Sequence, residues 1–302
     1  MNGIFAPTPM IEPRPESRSS HAIFPPKPRR LPERKRMTIA LGILAFDGIV
    51  FAADTQETVP GYWKGDTAKI QGASRPGHGV GGPAACLISG AGHGLYMDAV
   101  ADRMRAAFSA KPPGAIDDMG GAFGQILATF HRDHVAPLAQ YPAADRPDFT
   151  LILAYSDKDN AMIWQSAHSA LRQQQVFTAV GVGAFMATTL LSRILLNDRL
   201  DVWHTVLLAA YVMLHVKASV DGCGKSTDMW LIHNHIAWPL PRHLTSDMES
   251  AMAETLRRIA SSMETVMSSL DSSFKILVPP DTRRTTGVLE LASTEVLKTP
   301  RV

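Results

Sequence analysis

A chain of 302 residues, 45% hydrophobic and 19% charged, carries enough apolar material for a substantial core, so it reads as a globular protein of one large domain or two small ones. A formal net charge of +2 gives no global pull toward nucleic acid or a membrane surface. Only two cysteines occur, Cys86 and Cys223, which excludes a disulfide framework and points to a reducing, cytoplasmic setting.

In chain order, the first 36 residues are dense in Pro and Arg and show no apolar periodicity. Such a segment buries too little surface to offset its ordering entropy, and it lacks the apolar stretch of a secretory signal. Residues 1–37 are therefore expected to be a disordered leader or an upstream start ahead of the folded protein. Order begins at TIALGILAF (38–46) and IVFAADTQ (49–56), two β-rich runs separated by Asp47-Gly48, a hairpin signal. A short strand is expected at TAKIQGA (67–73), then a glycine loop at 75–83 and a buried strand, AACLISG, ending at Gly90. Apolar residues at helical spacing follow in 95–110 and 122–139. DFTLILAYSD (148–157) and AMIWQSAHS (161–169) read as two more strands, and VFTAVGVGA (176–184) leads into a helix over 185–197. The spacing predicts further helices over 201–220 and 246–270, with a strand at 227–234 between them and a polar tail from about 279. Within the first of these helices, the longest apolar run, at 205–216, is shorter than the ~20 residues that span a bilayer. The order of elements predicts two packed sheets flanked by helices, a four-layer α+β sandwich formed by a single domain over 38–278.

The stretch VDGCGKSTDMW (220–230) contains Gly-Lys-Ser-Thr, the end of a phosphate-binding loop. That loop requires a further glycine at 219, where this chain has Ser219. It must also follow a strand and open a helix, whose N-terminal amides hold the phosphate. Here a helix precedes the stretch and a strand follows it, so a helix-to-strand turn is expected instead.

The residues that carry chemistry lie in MTIALGILAFDGIVFAADTQETVPGYWKGDTAKI (37–70). A Thr opening a strand, a Gly turn at Gly48, Ala-Ala-Asp at 52–54 and Lys69 shortly after resemble the N-terminal region of proteasome β-type subunits and of the HslV-like peptidases. Both belong to the N-terminal-nucleophile (Ntn) hydrolases. The resemblance implies an Ntn-hydrolase fold with Thr38 as nucleophile, Asp54 and Lys69 beside it, and Gly90 offering a backbone N–H to an oxyanion. The chemistry suits these residue types. A free α-amine, pKa about 8, can take the hydroxyl proton, and an adjacent ammonium lowers the proton affinity of the hydroxyl. Backbone amides then stabilise the developing oxyanion. The resemblance further implies a threonine-type peptidase that needs no cofactor or metal. It self-associates into an oligomer or ring, acts on peptides or unfolded proteins, takes any ATPase unfoldase from a separate chain, and engages neither nucleic acid nor membrane. Thr38 can use its own amine only once residues 1–37 are gone, either by processing or because translation starts at Met37 and that Met is trimmed.

The chain departs from the family pattern at two places. Gly-Val-Gly at 181–183 places Val182 where the family has Ser, and the 220–226 turn places Val220 and Cys223 where it has Asp and Ser, with Asp221 one position away. A catalytically silent structural subunit and a small-molecule amidase of the same superfamily therefore remain as alternatives. Other features have plainer readings. His131 and His134 share a helix face without an evident third metal ligand. His-Asn-His at 233–235 lies on a strand without nuclease partners. Cys86 reads as an inert buried thiol, and the Met-rich stripe of 246–270 as core or subunit packing.

Overall fold

The computed structural model describes residues 38–59, 63–76, 82–110, 116–142, 146–195 and 199–277. The expected leader, the tip of the glycine loop and the expected polar tail lie outside the described residues. The first strand, β1 (Ile39–Leu44), is buried along its whole length. Ile39, Leu41 and Ile43 face one way and Ala40 and Leu44 the other, so both faces of the strand are covered. The Asp47-Gly48 signal holds, and the chain returns antiparallel as β2 (Gly48–Asp54), with Ala40 opposite Ala53.

Strand β3 (Gln56–Val59) leaves the end of β2 and pairs with β4 (Trp63–Asp66) in a small separate ribbon. The expected strand at 67–73 forms later, as β5 (Gln71–Arg75), leaving 67–70 outside the sheets, with the N–H of Thr67 donating to the carbonyl of Thr55 at 2.9 Å. Strand β6 (Ala84–Gly92) follows, then helices α1 (Gly94–Ala110) and α2 (Ile116–Phe130). The predicted second helix does not run regularly to 139. It passes through one π turn at His131–Val135 and a 3₁₀ turn at Ala136–Gln140, with Pro137 near the start of the latter. A proline cannot donate to the preceding turn, which is why the α-helical ladder stops there.

Strands β7 (Phe149–Asp157), β8 (Ala161–Ala167) and β9 (Ala170–Gln174) form a meander. β9 is polar and half-exposed, so it carried no apolar signal in the sequence. β10 (Phe177–Gly181) precedes α3 (Ala184–Ile194) and α4 (Val202–Ser219). The Asp201 side chain caps α4 by accepting from the N–H groups of Trp203 and His204. Strands β11 (Thr227–His233) and β12 (Ile236–Pro239) form a hairpin turned by Asn234 and His235, both at positive φ, and α5 (Arg242–Leu277) closes the chain.

One sheet runs β10-β1-β2-β11-β12 and the other β5-β6-β7-β8-β9, each antiparallel throughout. Phe51, Leu87, Ile152 and Ile163 fill the space between them. Ile39, Leu41, Val50 and Met229 pack instead under α3 and α4. Ile88, Leu151, Leu153 and Tyr155 pack under α1 and α2. The result is the expected four-layer α+β sandwich. The first part of α5 is bound to this body by Lys217 and Glu249, an ion pair at 2.7 Å with both side chains nearly buried, and by Thr227, which donates to Glu249 at 2.6 Å. Among the described residues, no helix is long and apolar enough to cross a membrane.

Candidate active site

Antiparallel pairing of β1 and β2 brings the start of β1 beside the end of β2, so Thr38 and Asp54 meet although 16 residues apart. The Thr38 hydroxyl donates to Asp54 Oδ1 at 2.6 Å, and the N–H of Ile39 donates to the same oxygen at 3.1 Å. Lys69 enters from the segment before β5. Its ammonium donates to Asp54 Oδ1 at 2.8 Å, to the carbonyl of Gln56 at 2.6 Å and to the hydroxyl of Thr38. An ammonium has three hydrogens, and all three are used here. Asp54 is fully buried and the Lys69 side chain is 11% exposed, so neither charge is solvated and each depends on the other. The hydroxyl of Thr38 thus lies between a carboxylate and an ammonium in a site that is largely closed to water.

The backbone of Lys69 is clamped on both sides. Its N–H donates to Asp228 Oδ2 at 3.2 Å, its carbonyl accepts from Ser89 Oγ at 3.0 Å, and Asp228 is in turn held by Arg242 Nε at 3.2 Å. None of Gln56, Ser89, Asp228 and Arg242 was singled out from the sequence. Asp228 had one available signal, a carboxylate placed inside an apolar strand, where burial demands a partner.

Gly90 lies in β6 opposite Leu151. The N–H of Leu151 points away from β6, donating to Ser166 Oγ on β8 at 2.8 Å. Residues directly opposite in an antiparallel pair share one orientation, so the N–H of Gly90 faces away from β7, on the side where Lys69 approaches and beyond the last β5 pairing, Gln71 with Ile88. A side chain on Gly90 would come within 2.5 Å of the Thr150 carbonyl. Gly181 packs directly against the backbone of Thr38. Its φ is +98°, and a Cβ there would lie 2.2 Å from the Thr38 carbonyl oxygen.

The turn at 220–226 runs from α4 into β11 and opens no helix, in keeping with the rejection of a phosphate loop. It lies against the site. The N–H of Gly224 donates to Asp54 Oδ2 at 3.1 Å, and Gln56 Nε2 donates to the carbonyl of Gly222 at 3.3 Å. Cys223 is buried, and burial, followed by the nearby Asp54 carboxylate, pushes its thiol up to about 12. Val182 and Asp221 are exposed and Val220 packs into the core under α4, so no side chain from these positions restores the hydroxyl and carboxylate of the family pattern.

The plainer candidates take ordinary places. His134 meets Arg103 at 3.0 Å and stacks near Phe130, while burial holds the His131 imidazole below its usual value. His235 meets Ser156 at 3.0 Å. Cys86 is fully buried, with its thiol pushed up to about 12 by burial. Among the described residues there is no group of three or more His, Cys, Asp or Glu able to hold a metal ion.

No model of a protein family matches the chain, and no curated protein matches it in sequence. Solved structures match it in fold. A Gly-1 mutant of Anbu from Hyphomicrobium sp. strain MC1 superimposes with a TM-score of 0.58 at 15% identity, covering 74% of this chain and 96% of that one. Anbu from Yersinia bercovieri, described as an ancestral β-subunit, gives 0.58 at 11% identity, covering 74% and 97%. Anbu from Pseudomonas aeruginosa, solved as a helical assembly, gives 0.58 at 13% identity, covering 74% and 96%. These likenesses establish the fold. They correct the assignment to the proteasome β-type or HslV-like peptidases, because the structures matched are Anbu and the identity is too low to carry a family. The physical reason is that the residues behind that assignment, Thr38, Ala52–Asp54 and Lys69, occupy one hairpin and the segment after it. A hairpin reports the fold that houses it and not the branch to which the rest of the chain belongs.

Proposed function

We propose that this chain is a threonine-nucleophile hydrolase of peptide bonds, working in the cytoplasm as a subunit of an Anbu-like, proteasome-like assembly. Residues 38–278 form its single domain, and Thr38 becomes the first residue once 1–37 are removed. The observation that carries this reading is the hydroxyl of Thr38 bonded at once to the Asp54 carboxylate and the Lys69 ammonium. In the proposed cycle, the freed α-amine of Thr38 takes the hydroxyl proton and the Thr38 oxygen attacks the substrate carbonyl. Lys69 stabilises the oxygen as its proton leaves, and Asp54 holds Lys69 charged and aimed. The oxyanion receives the N–H of Gly90. The C–N bond then breaks, the amine departs with the transferred proton, and water hydrolyses the ester on Thr38. Peptides or unfolded proteins are the substrates, with any ATPase unfoldase supplied by another chain. The helical arrangement of the Pseudomonas Anbu supports self-association of this chain.

A second reading, a catalytically silent subunit, is favoured by one observation: Val182, Val220 and Cys223 leave the site without the extra hydroxyls and carboxylate of the pattern it resembles. Two measurements decide between the readings. Hydrolysis of a peptide library and a panel of small amides by wild type and Thr38→Ala tests the nucleophile, and activity confined to the small amides assigns an amidase instead. Equal rates in both proteins remove Thr38 from the mechanism. Intact mass of the native protein tests exposure of the amine, and a mature chain that retains residues ahead of Thr38 rules out the amine as base.

A further inference from the structure

Helix α5 packs against the body only through its first part. Thr245 is buried, and Met248 and Met252 join the core cluster under α4. From Arg257 to Ser269 every residue is exposed, yet the apolar face does not stop there. The stripe that packs on the body continues beyond it as Leu256, Ile259, Met263 and Val266, spaced 3, 4 and 3 residues apart, and Leu270 extends the register in the sequence. Ile259, Met263 and Val266 are each more than half exposed. This spacing is the heptad seam that drives two helices to pair, and the exposed stretch from Arg257 to Ser269, roughly 20 Å of helix, is marginal alone in water.

We propose that the distal part of α5 pairs antiparallel with α5 of a second copy of this chain, about a two-fold axis at the level of Ser261. The inference deepens the self-association part of the proposed function and is independent of the chemistry at Thr38. The choice of a second copy rests on self-complementarity. About that axis Ile259 meets the other copy's Met263 and Leu256 meets its Val266, so these four seam residues pair among themselves. Of the residues flanking the seam, Ala253, Ala260, Ser262 and Ser269 are small and uncharged and permit close approach, and the exposed Met267 adds apolar surface on one flank. Charge agrees. Arg257 and Arg258 both pair with the one carboxylate of Glu254, an excess of positive charge, whereas Glu264 has no ion-pair partner among the described residues. The antiparallel register places Arg257 and the other copy's Glu264 on the same side, within one residue's rise of each other.

Sedimentation velocity on the full chain tests the seam. Wild type associates, and Ile259→Glu combined with Met263→Glu halves the mass of its largest species at equal concentration. Both side chains are exposed, so the double variant keeps the wild-type circular dichroism spectrum and any hydrolytic activity. An unchanged mass overturns the seam and leaves the face to another occupant, a segment of the chain's own termini among them. A wild type that stays monomeric overturns the seam and the self-association reading together, without touching the Thr38 reading. Orientation is read by mixing Ala253→Cys with Met267→Cys, which lie on one flank of the helix. Mild oxidation links unlike variants in the antiparallel pair, whereas disulfides only between like variants mean a parallel pair and overturn the register.

Discussion

The carboxylate of Asp54 is held from behind by the backbone N–H of Gly224, at 3.1 Å and across 170 residues of chain. One oxygen of Asp54 faces Thr38 and Lys69 while the other is fixed by the turn that carries Gly-Lys-Ser-Thr. That turn has lost the side chains expected of it in the pattern it resembles, yet it still positions the carboxylate through its main chain. A main-chain donor survives every substitution except proline, so the arrangement at Asp54 tolerates Cys223 and Val220.

Lys69→Ala is expected to lower hydrolysis by at least about 100-fold and to destabilise the fold by about 3–5 kcal/mol, because it leaves Asp54 buried and uncompensated. Double replacement, Lys69→Met with Asp54→Leu, should recover part of the stability, less the cost of leaving the N–H groups of Ile39 and Gly224 without their acceptor, and none of the activity. Urea unfolding beside a peptide assay separates the two effects. Loss of activity without loss of stability in Lys69→Ala contradicts the buried pairing.

Gly181→Ala places a Cβ 2.2 Å from the Thr38 carbonyl at a φ of +98°. The expected cost is about 1–3 kcal/mol from the backbone conformation, with the clash added to it. The start of β1 must move, so kcat should fall further than stability alone predicts. A melting temperature and activity equal to wild type would contradict this geometry.

Asp228→Ala removes the acceptor for the N–H of Lys69 and leaves Arg242 with Asp66 alone of its two carboxylates. The lysine keeps its own side-chain bonds, so a fall in activity of about 10-fold is expected. The stability loss should be about 1–3 kcal/mol, the cost of an unsatisfied buried donor. Arg242→Ala should give a weaker version of the same phenotype, since it reaches Lys69 through Asp228, and it also gives up the contact with Asp66 at 3.4 Å.

Both thiols are held at about 12 from an ordinary value near 9. A group whose proton is held more tightly in the folded state gives stability that is intact below the unfolded value and lost as pH rises through the window to the folded one. Stability should therefore fall between pH 9 and pH 12, by at most about 1.4 kcal/mol per pH unit for each thiol. Cys86→Ala/Cys223→Ser should flatten that fall. A thiol reagent at pH 8 should label neither cysteine in the folded protein and both in urea.

Glu249→Ala breaks the Lys217 pair that binds the first part of α5 to the body. The expected loss is about 3–5 kcal/mol, since Lys217 is left buried without its counter-charge. Hydrogen exchange should rise first in 245–256, which would place the loosening at α5 and not at Thr38.

Much of the fold was legible in the sequence because its central strands are short apolar runs bounded by turn residues. The β-rich run at 38–46, the Asp47-Gly48 turn, and the apolar runs at 84–90 and 148–157 gave both sheets their central strands. Helices 95–110 and 201–220 were legible from their spacing. Where that signal faded, so did the expectation. β9 is polar because it is an edge strand, β12 is short and half-exposed, and β5 forms four residues late because pairing with β6, not local propensity, sets its start.

For the candidate site, the sequence alone determined which residue types were available: a Thr opening a strand, an Asp closing the next, and a Lys shortly after. Hairpin geometry forces the first two together, so Thr38 and Asp54 needed no tertiary information. Only the tertiary structure decided the rest. It set the approach of Lys69 from a segment outside the sheets, the hold on its backbone by Asp228 and Ser89, the main-chain support from Gly224, and the direction of the Gly90 N–H. Those contacts link residues between 13 and 170 positions apart, and their partners are hydrogen-bonding groups that any polar residue or peptide unit supplies. Local sequence specifies such groups in number but not in place. Their placement comes from two sheets closing on a shared apolar layer.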